Sequence, residues 1–215
     1  MIRAARRVSE QLAEEQGGKA RTQAERRDEA ERRILEAAAD IVAEGGFEAI
    51  TLAEAGARAG YSRGLPSHYF RTKDDLLSAL GVYVVQLFLT RRRASAASGY
   101  DGLIESVRDY FRLPLESPTT VRAFHAVLAG ALNTPAIKAT VAELNRKSVA
   151  EIAAGIRTGV AAGQVRADID PDTQSVLILA SLRGVVAQWL ADPERIDLPR
   201  LSEDFIAMLK RGLEK

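Results

Sequence analysis

Along most of the chain, apolar residues recur every three or four positions, the spacing of amphipathic helices. The first clear stripe is Ile34, Leu35, Ala38, Ile41 and Val42, which predicts a helix over 28–44. Gly45-Gly46 ends it as a left-handed cap would, and Phe47 and Ile50 return the chain to a core. Thr51-Leu52-Ala53-Glu54 has the form of a capping box and predicts a short helix to Ala59, broken by Gly60. Ser62 is the candidate N-cap of the next helix, to Phe70. Thr72-Lys73-Asp74-Asp75 repeats the cap and opens a long helix carrying Leu76, Leu77, Leu80, Val84 and Leu87.

Proline placement marks the remaining helices. One is expected over 101–113, stopping before Pro114. Ser117-Pro118, Thr134-Pro135 and Asp170-Pro171 each put a proline at the first helical position, where its missing N–H has no partner to lose. They open helices beginning near 118, 135 and 171, the second extending to Gly163 and the third to Leu190. A last helix covers 199–213. No stretch keeps a strand period, and no internal repeat is visible, so the expected class is all-α.

Composition narrows the chemistry. The 215 residues include no cysteine, which excludes a disulfide scaffold, a zinc finger and a cysteine nucleophile. Two histidines leave few candidates for catalysis, and no cofactor is called for. The formal charge of +1 neither demands nor excludes nucleic acid, so the position of the charges has to decide. Residues 1–27 are polar, carry both charge signs and include Arg26 and Arg27; they are expected to form a mobile arm. The N-terminus has no apolar signal segment, and the run Leu80–Leu89 is too short to span a bilayer, so the expectation is a cytoplasmic protein with no membrane partner.

Two short helices joined by Ala59-Gly60-Tyr61-Ser62 have the proportions of a helix-turn-helix, with glycine at the tight turn. Residues 34–80 resemble the DNA-binding domain of the TetR family of regulators. Three anchors carry the resemblance at their joint spacing: Gly46, Phe47 and Thr51; Ala59, Gly60, Ser62 and Gly64; and Tyr69, Phe70 and Lys73. The resemblance implies an N-terminal three-helix helix-turn-helix DNA-binding domain over 28–75. A C-terminal helical ligand-binding and dimerisation domain would follow over 76–215. Thr51 and Lys73 would touch phosphates at the flanks, and Ser62, Arg63, Gly64, Leu65, Pro66, Ser67, His68 and Tyr69 would lie in or beside the major groove. Arg63 could read guanine, and Arg26 and Arg27 could reach the neighbouring backbone or minor groove.

Two positions depart from the family pattern. Ala55-Gly56 replaces a commoner Ile-Ala pair, which predicts a looser domain core. Pro66 disfavours helical geometry at Leu65, which predicts a late regular helix, near Gly64 or Leu65, after a 3₁₀-like start. The proline either meets a thymine methyl together with Ser67, or points into solvent and stiffens the start.

Other patterns have plainer readings. Asp168, Asp170 and Asp172 are spaced like the opening of a calcium loop but lack its glycine and glutamate; an N-cap followed by Pro171 explains them. Arg91-Arg92-Arg93 reads as a solvated face. Val176–Trp189 is apolar on nearly all sides, which predicts burial by its own core and by a symmetric partner. By resemblance, a small-molecule site would draw on Tyr83, Gln86, Tyr110, Phe124, His125 and Trp189, though ordinary core packing explains any one of them. The expected function is a homodimeric repressor that leaves a palindromic, double-stranded operator when a small-molecule effector binds. A transcriptional activator, a ligand-independent regulator and, more remotely, an all-helical enzyme or carrier stand as alternatives.

Overall fold

The computed structural model describes residues 22–91 and 97–215. Arg92 and Arg93, and the expected arm up to Arg21, lie outside these. Eight α-helices and one 3₁₀ helix make up the described chain: α1 (Gln23–Gly45), α2 (Leu52–Arg58), the 3₁₀ helix (Leu65–His68), α3 (Lys73–Arg91), α4 (Gly99–Glu116), α5 (Pro118–Gly130), α6 (Pro135–Ala161), α7 (Pro171–Ala191) and α8 (Leu198–Leu213). Among the described residues there is no strand, only an isolated bridge between Val165 and Glu214.

Local chemistry explains most boundaries. The Thr51 side chain caps α2 by accepting from the Glu54 N–H at 3.1 Å. Thr72 accepts from the Asp75 N–H at 3.1 Å, and the Asp75 carboxylate accepts from the Thr72 N–H at 3.0 Å, the reciprocal pair that starts α3. Asp170 accepts from the N–H groups of Asp172 and Thr173 and starts α7, so the aspartate triplet forms a cap.

Three boundaries differ from those read in the sequence. Helix α1 begins at Gln23, because Thr22 and Glu25 form a full capping box that satisfies two free N–H groups. Arg26 and Arg27 therefore stand on its first turns and not on an arm. Helix α4 runs through Pro114 to Glu116: the proline gives up one ladder hydrogen bond but is buried on the core side beside Leu113. Between Ser62 and Phe70 the only helix is the 3₁₀ helix at Leu65–His68; the late start holds, but no regular α-helix follows it.

A continuous apolar core joins the two ends of the molecule. Helix α1 packs on α2, α3 and α5, while α6 packs on α3, α4 and α7, and α8 lies on α4. Ile34, Ile50, Leu76, Leu80 and Val84 are fully buried on the side of α1 and α3, with Ile137 packed against Gly81 between Leu80 and Val84, and Phe111, Phe124 and Ile156 are fully buried further along the core. Helix α3 passes without a break through positions 75 and 76, where the resemblance leads us to expect a domain boundary. Helix α7 is long and apolar enough to cross a membrane by length and composition. Its buried residues, including Ile178, Leu182 and Val186, occupy one side, while Val176 and Leu177 remain 53% and 54% exposed.

Candidate functional sites

The helix-turn-helix is built around a close approach of two residues. Gly60 takes φ +80° at the turn, and the Tyr61 N–H returns to the Gly56 carbonyl at 2.9 Å. The chain then folds back so that the Pro66 ring lies over Gly56. A Cβ at Gly56 would sit 2.8 Å from the Pro66 Cγ and Cδ and 2.9 Å from the Ser62 carbonyl oxygen. Pro66 is buried, which corrects both outward-facing expectations for it. Its ring fills the space that the small Gly56 leaves, so the expected loosening of the core there is also corrected. The Pro66 carbonyl accepts from the Tyr69 and Phe70 N–H groups at 3.0 and 2.9 Å and closes the segment.

With the proline turned inward, Ser62, Arg63, Gly64, Ser67 and His68 are exposed, and Leu65 and Tyr69 are half-buried. Arg27 on α1 sits over the Tyr69 ring at 5.9 Å, within cation–π range. Arg26 is exposed beside it. The Lys73 ammonium donates to the Phe47 carbonyl at 3.2 Å. A lysine has three protons, so two remain for an outside acceptor. Arg71, exposed between the 3₁₀ helix and Lys73, adds a cation that the motif spacing does not mark. The scaffold is tied from behind by the Arg58–Glu44 ion pair between α2 and α1.

The second candidate site is a cavity of about 380 Å³ bounded by α3, α4, α5, α6 and α7. Its aromatic wall is Phe88, stacked on Phe124 with centroids 3.7 Å apart and planes 7° apart, and joined edge-on by Tyr110 at 5.7 Å. Its polar groups include Ser106, Ser148, Thr158, Glu151 and Arg183. Such a volume, mostly apolar with a few polar groups, suits a small organic molecule.

Of the residues expected from sequence to meet a ligand, Tyr110 and Phe124 line this cavity. His125 lines a separate, more open groove of about 730 Å³ between α5, α6 and α7, reached from the other side of Arg183. Gln86 is exposed, Tyr83 and Trp189 are half-buried, and none of the three lines either space. Phe88 and Arg183 join the wall without being expected there. Arg183 does carry a signal in the sequence: it is the one charged residue within Val176–Trp189.

Burial shapes the electrostatics here. The Arg183 guanidinium donates to the Asn145 side-chain oxygen at 2.6 Å, while its Nε is buried with no hydrogen-bond partner. Burial lowers its pKa from the ordinary value, with the neighbouring Tyr110 hydroxyl acting the other way. His125 is pushed down to about 4, first by burial and then by the Arg183 charge, and its Nε2 is buried without a partner.

Comparison with known proteins decides the family. Residues 34–80 match the family described as bacterial regulatory proteins, tetR family, and residues 101–214 match the C-terminal domain of BetI-type transcriptional repressors. The chain belongs to the TetR family. The HTH-type transcriptional regulator CymR of Pseudomonas putida is 29% identical over 192 residues, covering 86% of this chain and 92% of that protein. The fatty acid metabolism regulator protein of Bacillus subtilis is 21% identical over 194 residues, covering 84% and 93%. Among solved structures, a transcriptional regulator from Saccharomonospora viridis in complex with choline superposes with TM-score 0.74 at 22% identity, covering 87% of this chain and 99% of that one. A triclosan complex of SmeT has TM-score 0.69 at 24% identity, covering 86% and 92%. SmeT is the repressor of the Stenotrophomonas maltophilia multidrug efflux pump SmeDEF. These structural likenesses speak to the fold, an N-terminal helix-turn-helix with a helical C-terminal domain, and not to a ligand.

Proposed function

We propose that this TetR-family transcriptional regulator is a cytoplasmic homodimeric repressor, displaced from a palindromic operator by a small molecule held in the cavity of about 380 Å³. The observation that carries the reading is a physical path from that cavity to the DNA-facing surface. Phe124 lines the cavity on α5, and the last residue of α5, Gly130, lies against the Phe47 ring, where an added Cβ would stand 2.6 Å from the Phe47 Cε2. The Phe47 carbonyl in turn holds Lys73. Movement of α5 around a bound ligand would therefore be felt at a lysine proposed to grip phosphate. Operator contacts are assigned to Thr51, Ser62, Arg63, Gly64, Ser67, His68, Tyr69 and Lys73, flanked by Arg26 and Arg27. Phosphate contacts would set the register and Arg63 would read a base edge.

Dimerisation is assigned to the outer side of α7. Val176 and Leu177 are exposed, and an added Cβ at Gly184 would meet nothing within 4 Å, so the helix has room for a close partner. A gel shift with DNA from the promoter region next to its own gene tests the whole reading. Retardation of a specific fragment, lost on adding the effector, supports it. Absence of any sequence-specific retardation would remove it.

A further inference from the structure

The cavity has one feature that the apolar lining does not require, a half-buried arginine whose Nε is fully buried and which has no carboxylate partner among the described residues. Arg183 lies on its wall on α7, among Leu179, Leu182, Phe124 and Tyr110. It donates to Asn145 and lies beside the Tyr110 hydroxyl, both neutral groups, and its Nε is left unsatisfied. Among the described residues, no carboxylate lies within ion-pair distance of it. A guanidinium partly withdrawn from water, with one N–H buried and unbonded, is costly, and is seldom kept unless something else satisfies it. Leucine or methionine would serve the packing of α7 at no such cost.

The geometry of the remaining wall limits what that something is. Helix α6 supplies one side of the cavity from Leu144 to Thr158, a run of about 21 Å at helical rise. Asn145, next to Leu144, carries the Arg183 bond, so the guanidinium stands at one end of this side. Glu151, the other charged group on the wall, is exposed and lies between one and two turns further along α6. Between the charges the wall is mostly apolar, with Phe88, Leu103, Val107 and Ile152, interrupted by the hydroxyls of Ser106 and Ser148.

Resting on the reading of this cavity as the effector site, we propose that the effector is a small organic carboxylate. Its anionic group is received by Arg183, with Tyr110 alongside, and its apolar body lies against the Phe88–Phe124 stack. A carboxylate gives a guanidinium its charge-assisted partner and takes up the unsatisfied Nε. A quaternary ammonium would meet a like charge at that end of the cavity. Choline, found in a structural neighbour of this fold, is thus predicted to be excluded here.

The test is isothermal titration of the full chain with decanoate and 4-phenylbutyrate, each beside the alcohol of equal length, and with choline. Wild type is expected to bind at least one acid more than tenfold tighter than its alcohol and to show no saturable choline binding. Arg183→Gln should bring acid and alcohol to equal affinity, and Arg183→Lys should restore part of the preference. Ser148→Phe, which fills the cavity and leaves the neighbouring groove open, should abolish acid binding. Melting curves and the operator gel shift check that each variant is folded. If Arg183→Gln does not fold, the wild-type ratio and Arg183→Lys decide. Equal affinity for acid and alcohol in wild type, no acid binding at all, saturable choline binding, a preference unchanged in Arg183→Gln, or binding that survives Ser148→Phe would each overturn the proposal. A wild-type chain that retards operator DNA but meets one of these outcomes loses only the carboxylate; a chain that does not retard DNA loses the regulator reading itself.

Discussion

The Pro66 ring occupies the volume that a side chain at position 56 would fill, with its Cγ and Cδ 2.8 Å from where a Gly56 Cβ would stand. Each residue explains the other: a proline in the second helix of the motif is tolerated because the first helix presents bare backbone to it. The ring turns inward, and Arg63, Ser67 and His68 are left exposed on the surface proposed to face DNA.

This pairing predicts non-additive energetics. Gly56→Ala forces a methyl into the proline and into the Ser62 carbonyl, and is expected to cost about 1–3 kcal/mol of stability. Pro66→Ala alone should cost less, and in the Gly56→Ala background it should recover part of the loss. Denaturant melts of the double-mutant cycle measure the coupling. Additive effects would mean that the two residues do not share the space.

Gly130→Ala addresses the link between the two ends of the molecule. The new methyl would displace the Phe47 ring and with it the carbonyl that holds Lys73. Operator affinity should fall by about 5-fold or more, the scale of a modest coupling free energy, while effector affinity in the absence of DNA stays near wild type. Parallel gel shifts and calorimetry check this; an unchanged operator affinity would disconnect α5 from Lys73.

The salt dependence of DNA binding isolates a phosphate contact. Lys73→Gln should lower the slope of log affinity against log salt by about one unit per lysine that touches phosphate. Arg63→Gln, proposed to face a base, should change sequence preference more than slope. Fluorescence anisotropy across a salt series separates the two, and a Lys73→Gln slope equal to wild type would leave that lysine off the backbone.

Helix α7 offers two kinds of substitution. Val186 is fully buried within its own protomer, so Val186→Asp should unfold the chain. Leu177, 54% exposed, points away from that core, so Leu177→Asp should leave the melt of the protomer intact and split the dimer. Sedimentation at micromolar concentration reads the difference. A monomeric wild type would remove the interface.

His125 gives the fold an acid sensitivity. Its pKa falls from the ordinary 6.5 to about 4 in the folded chain. The unfolded chain therefore binds the extra proton first: stability from this group is complete above about pH 6.5, declines as pH falls towards 4, and then levels off, a loss of about 3 kcal/mol in all. Arg183, which borders the same groove, opposes the protonated ring. His125→Gln should flatten the melting temperature between pH 7 and 4. An equal slope in that variant would shift the cause to other groups.

Elements whose ends are written in local chemistry are legible in the sequence alone. Thr51 with Glu54, Thr72 with Asp75, and Asp170 with Pro171 each satisfy N–H groups within a few residues, so their meaning is contained in a short stretch of text. The Thr22–Glu25 box is equally local, but the first apolar stripe begins only at Ile34, so the hydrophobic pattern gives that cap no helix to open. Pro114 reads as a helix stop for the opposite reason: its burial on α4 compensates a lost hydrogen bond, and burial depends on distant helices. Arg183 and the Gly56–Pro66 contact belong to the same kind. A charge in an apolar helix, or a glycine in place of alanine, acquires its role only from what the fold sets beside it.

Helix α3 has a mechanical consequence. It is a single rod of 19 residues with Phe88 at the cavity end and Lys73, proposed to meet phosphate, at the other. Those two residues are separated by about 22 Å of rise. A tilt of only about 5° about the cavity end would carry the lysine sideways by about 2 Å, roughly the whole difference between a sound hydrogen bond to a phosphate oxygen and none. Under the proposed function, an effector would have no need to remodel the molecule; an ångström-scale wedge beside Phe88 would have the leverage to loosen the proposed hold of Lys73 on DNA.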